Sequence, residues 1–163
     1  NIMEALSRGA TNGMKLAANV AAMLVAFVAI IAMVNAILGL MHLSLQQIFG
    51  WLFSPLAWVM GVPWAEAGII GSLMGEKLVL TELIAYGDLA KLTATNSISD
   101  RSAIIASYAL CGFANFASVG IQLGGIGGVA PERRKDLAKL GLKAMFGGAL
   151  ASWLTATIAG MLI

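Results

Sequence analysis

Long apolar stretches alternate with short polar segments along this chain. The two longest, Leu16–Leu40 and Leu137–Ile163, exceed the about 20 residues that an α-helix needs to cross a bilayer. The mixed segment Asn1–Gly13 precedes the first, and it predicts a short amphipathic helix on the membrane surface that turns at Gly13. Another helix is predicted over Leu45–Met60. The pattern favours an all-α integral membrane protein.

Trp64–Thr95 is apolar but is interrupted by charged side chains. These are Glu66, Glu76, Lys77, Glu82, Asp88 and Lys91. A lipid-facing helix with these charges is too costly, because each charge at the bilayer centre costs roughly 3 kcal/mol even on the lenient insertion scale. We predict two shorter helices, Ala65–Val79 and Leu83–Thr95, which enter and leave on the same side with Leu80–Glu82 at the tip. Such breaks are tolerated where they are buried in protein or line a wet cavity.

A polar stripe is predicted along the apolar segment Arg101–Ile126. Its members, at helical spacing, are Ser107, Cys111, Asn115, Ser118 and Gln122. Such a stripe faces either neighbouring helices, through the hydrogen bonds that Ser and Asn commonly provide, or a path for a polar substrate. Both interpretations stay open on the stripe alone. Phe113 and Phe116, at i and i+3, are typical of core packing.

Glu82 is the second candidate for function. A carboxylate inside a membrane has to be neutralised, paired or hydrogen-bonded. Lys77 is the nearest cation in sequence, but it lies five residues away and is poorly aligned on a helix. Glu82 therefore either forms a structural pair with a lysine or accepts hydrogen bonds from a ligand.

Composition agrees with the membrane assignment. Hydrophobic residues make up 60% of the chain and charged residues 11%, whereas soluble domains carry about 25% charged residues. The net charge of +2 gives no indication of nucleic acid binding. The single cysteine, Cys111, excludes an internal disulfide and a Cys-rich metal site, and we expect it to be packed. No Ser–His pair, HExxH motif or helical aspartate pair suggests an enzyme, and no metal site is predicted.

The basic cluster Arg133–Lys135 predicts the topology. By the positive-inside rule it lies in the cytoplasm, so Asn96–Asp100 is expected outside, in a multi-pass protein of the cell membrane. The chain starts at Asn1 and ends inside the apolar run Ile158–Ile163. We therefore expect it to be an excerpt of a longer protein that supplies further helices.

Two segments resemble motifs of the concentrative nucleoside transporter family. Gly75–Tyr86 (GEKLVLTELIAY) is similar to the family signature GxKxxxNEFVAY, and Ala109–Ser118 (ALCGFANFAS) is similar to ALCGFANxxS. Gly125–Arg134, with its Ala-Pro and arginine pair, resembles the loop that follows. The departures are Thr81 for Asn, Leu83 for Phe and Ile84 for Val, and they leave the substrate range open.

The resemblance implies a fold of inverted repeats, each with a re-entrant hairpin and a partly unwound helix, assembled as a homotrimer. The chain would be the C-terminal half of a bacterial nucleoside/cation symporter. Residues 1–40 would hold the surface segment and the last spanning helix of the first repeat. Residues 41–163 would form the second repeat, with helix 45–60, hairpin 64–95, broken helix 101–126 and final helix 137–163.

The resemblance also implies a substrate site. Glu82, Asn115 and Ser118 would contact the ribose hydroxyls of a nucleoside, and Phe113 would line the same pocket. The coupling cation, sodium or a proton, is expected mostly in the first-repeat hairpin, outside this chain, and no covalently bound cofactor is expected. Other expected partners are the lipid bilayer and further copies of the chain, but not nucleic acid.

Other functions explain parts of the pattern. A passive channel or pore-forming subunit for small polar solutes accounts for a polar stripe, although it does not need a charged hairpin tip. A structural membrane subunit without a ligand is a further alternative.

Overall fold

The fold is all-helical along the described backbone. The computed structural model describes the backbone of residues 1–163 and the side chains of residues 1–19, 21–22, 25–26, 28–127 and 130–163. The helices are α1 (Ile2–Gly39), α2 (Leu45–Val59), α3 (Trp64–Val79), α4 (Glu82–Ala94), α5 (Asp100–Leu110), α6 (Phe116–Val129) and α7 (Arg134–Leu162), with a 3-10 turn at Pro131–Arg133.

Helix α1 is continuous, so the predicted turn at Gly13 is wrong. Asn1 caps the helix by accepting from the Glu4 N–H at 2.8 Å. A single interior glycine costs only about 1 kcal/mol relative to alanine, which a helix of 38 residues absorbs. The predicted span inside α1 includes residues 20, 23, 24 and 27, whose side chains lie outside the described residues. At its C-terminal end Asn35 Oδ1 accepts from the Leu45 N–H at 2.8 Å and joins α1 to α2.

Helices α2 and α3 pack closely across a bend of 118°. Glycines on both helices allow the approach: a Cβ at Gly71 would lie 2.9 Å from the Ser54 backbone nitrogen and 3.0 Å from the Gly50 oxygen. Gly71 begins one of the small-residue spacings that favour close helix packing. The apolar face of α3, with Ile70 and Met74, is fully buried.

Helices α3 and α4 form a hairpin whose break lies at Leu80 and Thr81, as the sequence predicts. The two ends of the hairpin lie close together, because the segment after α4 contacts the first turn of α3. Ser99 donates to the Glu66 carboxylate from its hydroxyl at 2.8 Å and from its N–H at 3.1 Å. Ser99 also caps α5 by accepting from the Ser102 N–H.

Helices α5 and α6 are the two halves of the predicted broken helix, separated by residues 111–115. Gly112 has φ +100°, a conformation that glycine adopts without steric cost. Because these residues are not helical, the polar stripe does not lie on one helix, and that prediction is wrong. The Ser107 hydroxyl donates to its own helix at Ile104. Cys111 is exposed rather than packed.

Arg101 ties three segments together at the hairpin's open end. Its Nε donates to the Gly61 carbonyl at 3.0 Å and its Nη2 to the Gly160 carbonyl at 2.7 Å, and its Nη1 donates to Ile163. The start of α5, the α2–α3 turn and the end of α7 therefore share one end of the molecule. The basic cluster Arg133–Lys135 starts α7, about 40 Å away at 1.5 Å per residue. By length and apolarity, Pro131–Leu162 qualifies as a candidate membrane span.

Candidate functional site

The hairpin tip meets the break between α5 and α6 at a hydrogen bond between Glu82 and Asn115. Asn115 Nδ2 donates to Glu82 Oε2 at 2.9 Å. Glu82 is half-buried, and no basic side chain lies within ion-pair distance of it among the described residues. The direct partner of Glu82 is therefore an amide rather than a lysine.

Asn115 is held rigidly at this position. Its side chain is 1% exposed, and its Oδ1 accepts from the Ser118 N–H at 2.7 Å, which makes Asn115 the N-cap of α6. Asn is a favoured N-cap because its short side chain reaches the free N–H groups of the first turn. The cap uses the amide oxygen, so the amide nitrogen is left to hold Glu82. Ser118, 6% exposed, lies in the first turn of α6.

Two helix N-termini converge at this pair. Glu82 lies in the first turn of α4, and Asn115 precedes the first turn of α6. A helix N-terminus carries a partial positive charge, which stabilises a nearby carboxylate by about 0.3–1 kcal/mol. The arrangement favours hydrogen-bond donors at the Glu82 carboxylate, such as the hydroxyl groups of a ligand.

A cavity of about 230 Å³ lies beside Asn115 and Phe113. Gln122 on α6 and Met145 on α7 also line it. Phe113 is 75% exposed, so the core-packing interpretation of Phe113 is wrong, and Phe116 is likewise exposed. Glu82 and Ser118 do not line this cavity. Its volume is below the about 300–1,000 Å³ of typical ligand pockets.

Lys77 is fully buried beneath the hairpin tip, with 0% exposure. Its ammonium donates to Ser152 Oγ on α7 at 3.2 Å. The Ser152 hydroxyl donates in turn to the Ala149 carbonyl at 3.0 Å, which leaves its lone pairs free for the lysine. Lys77 therefore lies buried below the Glu82–Asn115 pair without forming an ion pair with Glu82.

Thr81 stands out in the sequence only as a departure from the family signature. It occupies the N-cap position of α4 but makes no side-chain capping bond. Its Oγ1 is buried without a hydrogen-bond partner among the described residues. Buried hydroxyls normally have partners, so this one is an unsatisfied polar group at the hairpin tip. Sequence spacing gives no sign of it, since Thr at an N-cap usually bonds to its own helix.

Comparison with known proteins places this geometry in a family. The profile described as "Na+ dependent nucleoside transporter C-terminus" matches residues 1–160. The chain is 50% identical to the uncharacterized transporter YutK of Bacillus subtilis, covering 100% of this chain and 42% of that protein. It is 40% identical to the nucleoside permease NupC of Helicobacter pylori, covering 100% of this chain and 41% of the permease.

A solved structure gives the same result for the fold. The structure of CNTnw in an inward-facing substrate-bound state superposes with a TM-score of 0.84 at 50% identity, over 98% of this chain and 39% of that one. The chain thus spans about two fifths of the length of these relatives. Because the family model matches residues 1–160, the chain belongs to the Na+-dependent nucleoside transporter family.

Proposed function

We propose that the protein containing this chain is a secondary active transporter, which moves nucleosides across the cell membrane by symport with sodium or protons. The support is family membership together with the similarity to relatives such as the nucleoside permease of Helicobacter pylori. Because the chain spans about two fifths of those relatives, the activity belongs to the whole protein, of which this chain supplies one part of the site.

The hydrogen bond between Asn115 and Glu82 is the observation that carries the proposal. It joins a hairpin tip to a helix break, which is where transporters with broken helices bind their substrates. Glu82 Oε1 makes no hydrogen bond to the described residues, so it is free to accept a ribose hydroxyl. Ser118 and Phe113 complete the proposed contacts, Ser118 by its hydroxyl and Phe113 by its exposed ring.

The proposed architecture is the one that the resemblance to the family implies. Residues 1–40 belong to the end of a first repeat, and residues 41–163 form a second, inverted repeat in which α3 and α4 are a re-entrant hairpin. The spanning helices cross the cell membrane several times, and three copies assemble as a homotrimer. The small volume of the 230 Å³ cavity supports a site completed by the first repeat, which would also hold most of the cation site.

The test measures nucleoside binding to the intact protein. Glu82→Gln keeps the shape but removes the charge, and Asn115→Ala removes the amide. Each change should weaken binding by about 1.5–3 kcal/mol, or one to two powers of ten. Glu132→Gln, an exposed glutamate on the 3-10 turn, is the matched control and should bind normally.

A deoxynucleoside separates contact from folding. If Glu82 holds a ribose hydroxyl, the analogue that lacks this hydroxyl binds more weakly to the unmutated protein, and Glu82→Gln weakens it less than the parent nucleoside. Equal weakening of both ligands would make Glu82 structural. Uptake that saturates and proceeds against a nucleoside gradient would distinguish a transporter from a passive pore.

A further inference from the structure

Five of the six charged side chains on the hairpin have a direct partner. Glu66 accepts from Ser99, Lys77 donates to Ser152, Glu82 accepts from Asn115, and Asp88 and Lys91 form an ion pair at 2.6 Å. The sixth is Glu76. Among the described residues nothing donates a hydrogen bond to its carboxylate, and no cation lies within ion-pair distance.

Glu76 is also deeply placed. Its side chain is 9% exposed. It lines an open cavity of about 580 Å³ between α2, α3 and α4, together with Gln46, Ser72 and Asp88. A buried, uncompensated carboxylate is strongly unfavourable, and such groups take up a proton or a cation instead.

The groups around Glu76 favour a proton. Asp88 on α4 lines the same cavity, and so does Lys91, whose ammonium is bonded to Asp88. Helix α2 brings only amides, and the part of α1 beyond Lys15 and all of α6 carry no charged residue. Two neighbouring carboxylates resist simultaneous ionisation because like charges repel. One proton on Glu76 neutralises its carboxylate and removes the repulsion from Asp88. The protonated Glu76 can also donate a hydrogen bond to Asp88.

We propose that Glu76 is a proton-binding site of the hairpin, with Asp88 as its hydrogen-bond acceptor. Water in the open cavity supplies the proton: one O–H bond breaks in hydronium and one forms at the Glu76 carboxyl, with no change of oxidation state. In the proposed transport function, this proton removes the cost of keeping an ionised carboxylate in the hairpin. That role rests on the proposed function, but proton binding itself does not.

Infrared difference spectroscopy of the intact protein in lipid vesicles tests proton binding directly. At about pH 6, near the lower end of the physiological range, the unmutated protein should show the carbonyl band of a protonated carboxylic acid that Glu76→Gln lacks. Glu132→Gln should keep the band. Asp88→Asn should shift its frequency, because the acceptor of the proton has changed. Identical bands in Glu76→Gln and the unmutated protein would overturn the proposal, as would a band that sodium removes.

Uptake measurements then connect the proton to transport. At fixed sodium, nucleoside uptake by the unmutated protein should fall as the pH rises and Glu76 loses its proton. Glu76→Gln imitates the protonated form and should keep uptake but lose this pH dependence. An unchanged pH profile in Glu76→Gln contradicts the role in transport. If the band is present but no variant takes up nucleoside, the proposed function fails and the proton site stands.

Discussion

Lys77 on the hairpin donates from Nζ to Ser152 Oγ on α7 at 3.2 Å, across 75 residues of sequence. This contact fixes the hairpin against α7 and places a buried ammonium beneath Glu82. A fully buried ammonium has few ways to recover the hydration that it has lost. The contact therefore matters both for stability and for the electrostatics of the site.

Ser152→Ala should destabilise the intact protein by about 1–3 kcal/mol, because it removes the acceptor of a buried charged donor. Thr155→Ala is the control: its hydroxyl also bonds to its own helix, at Ala151, but it is exposed and holds no charge. Thermal unfolding in detergent measures both. Equal effects of the two changes would show that the Lys77 contact contributes nothing.

Thr81→Val replaces an unpartnered buried hydroxyl with a methyl group of similar size. Without substrate, the change should leave stability unchanged or raise it by up to about 1 kcal/mol, since no hydrogen bond is lost. Nucleoside affinity should fall about two- to tenfold if the hydroxyl bonds to substrate. Thr93→Val, whose hydroxyl bonds to the Leu89 carbonyl away from the tip, should leave affinity unchanged. A Thr81→Val protein with normal affinity would remove Thr81 from the site.

Gly71→Ala should destabilise the packing of α2 on α3. The added Cβ would lie 2.9 Å from the Ser54 nitrogen, and because backbone moves less easily than a side chain, the cost is about 1–3 kcal/mol. Gly87→Ala on α4 meets nothing within 4 Å and should be neutral or stabilising by up to about 1 kcal/mol. Denaturation monitored by tryptophan fluorescence compares them. A neutral Gly71→Ala would show that α2 and α3 accommodate the added methyl group without loss of stability.

The membrane topology can be read by cysteine labelling in intact cells. After Cys111→Ser removes the exposed thiol of this chain, a cysteine introduced by Arg134→Cys should resist an impermeant reagent added outside, because the positive-inside rule predicts a cytoplasmic basic cluster. A cysteine introduced by Asn96→Cys, in the turn after α4, should react. Efficient labelling at position 134 would invert the proposed orientation.

The sequence alone determined the local architecture. Charges too dense for a lipid-facing helix predicted the hairpin, and its break at Leu80–Thr81 was found. The unwound region between α5 and α6 was implied only by the resemblance of Ala109–Ser118 to the family motif, whereas the residues alone predicted a helical stripe there. These features are local: they depend on which residues lie within a few turns of one another, and that information is present in the order of the chain. The predicted turn at Gly13 failed because one glycine is a weak helix breaker inside a long helix.

Only the tertiary structure decided which polar groups meet. Glu82 had two possible partner classes in the sequence, and packing gave it Asn115, 33 residues away. Lys77 was the nearest cation in sequence to Glu82, yet its hydrogen bond goes to Ser152. Phe113 had the spacing of a core residue and is exposed beside a cavity. The physical reason is that each partner is set by how helices distant in sequence pack, and one-dimensional spacing does not carry that information.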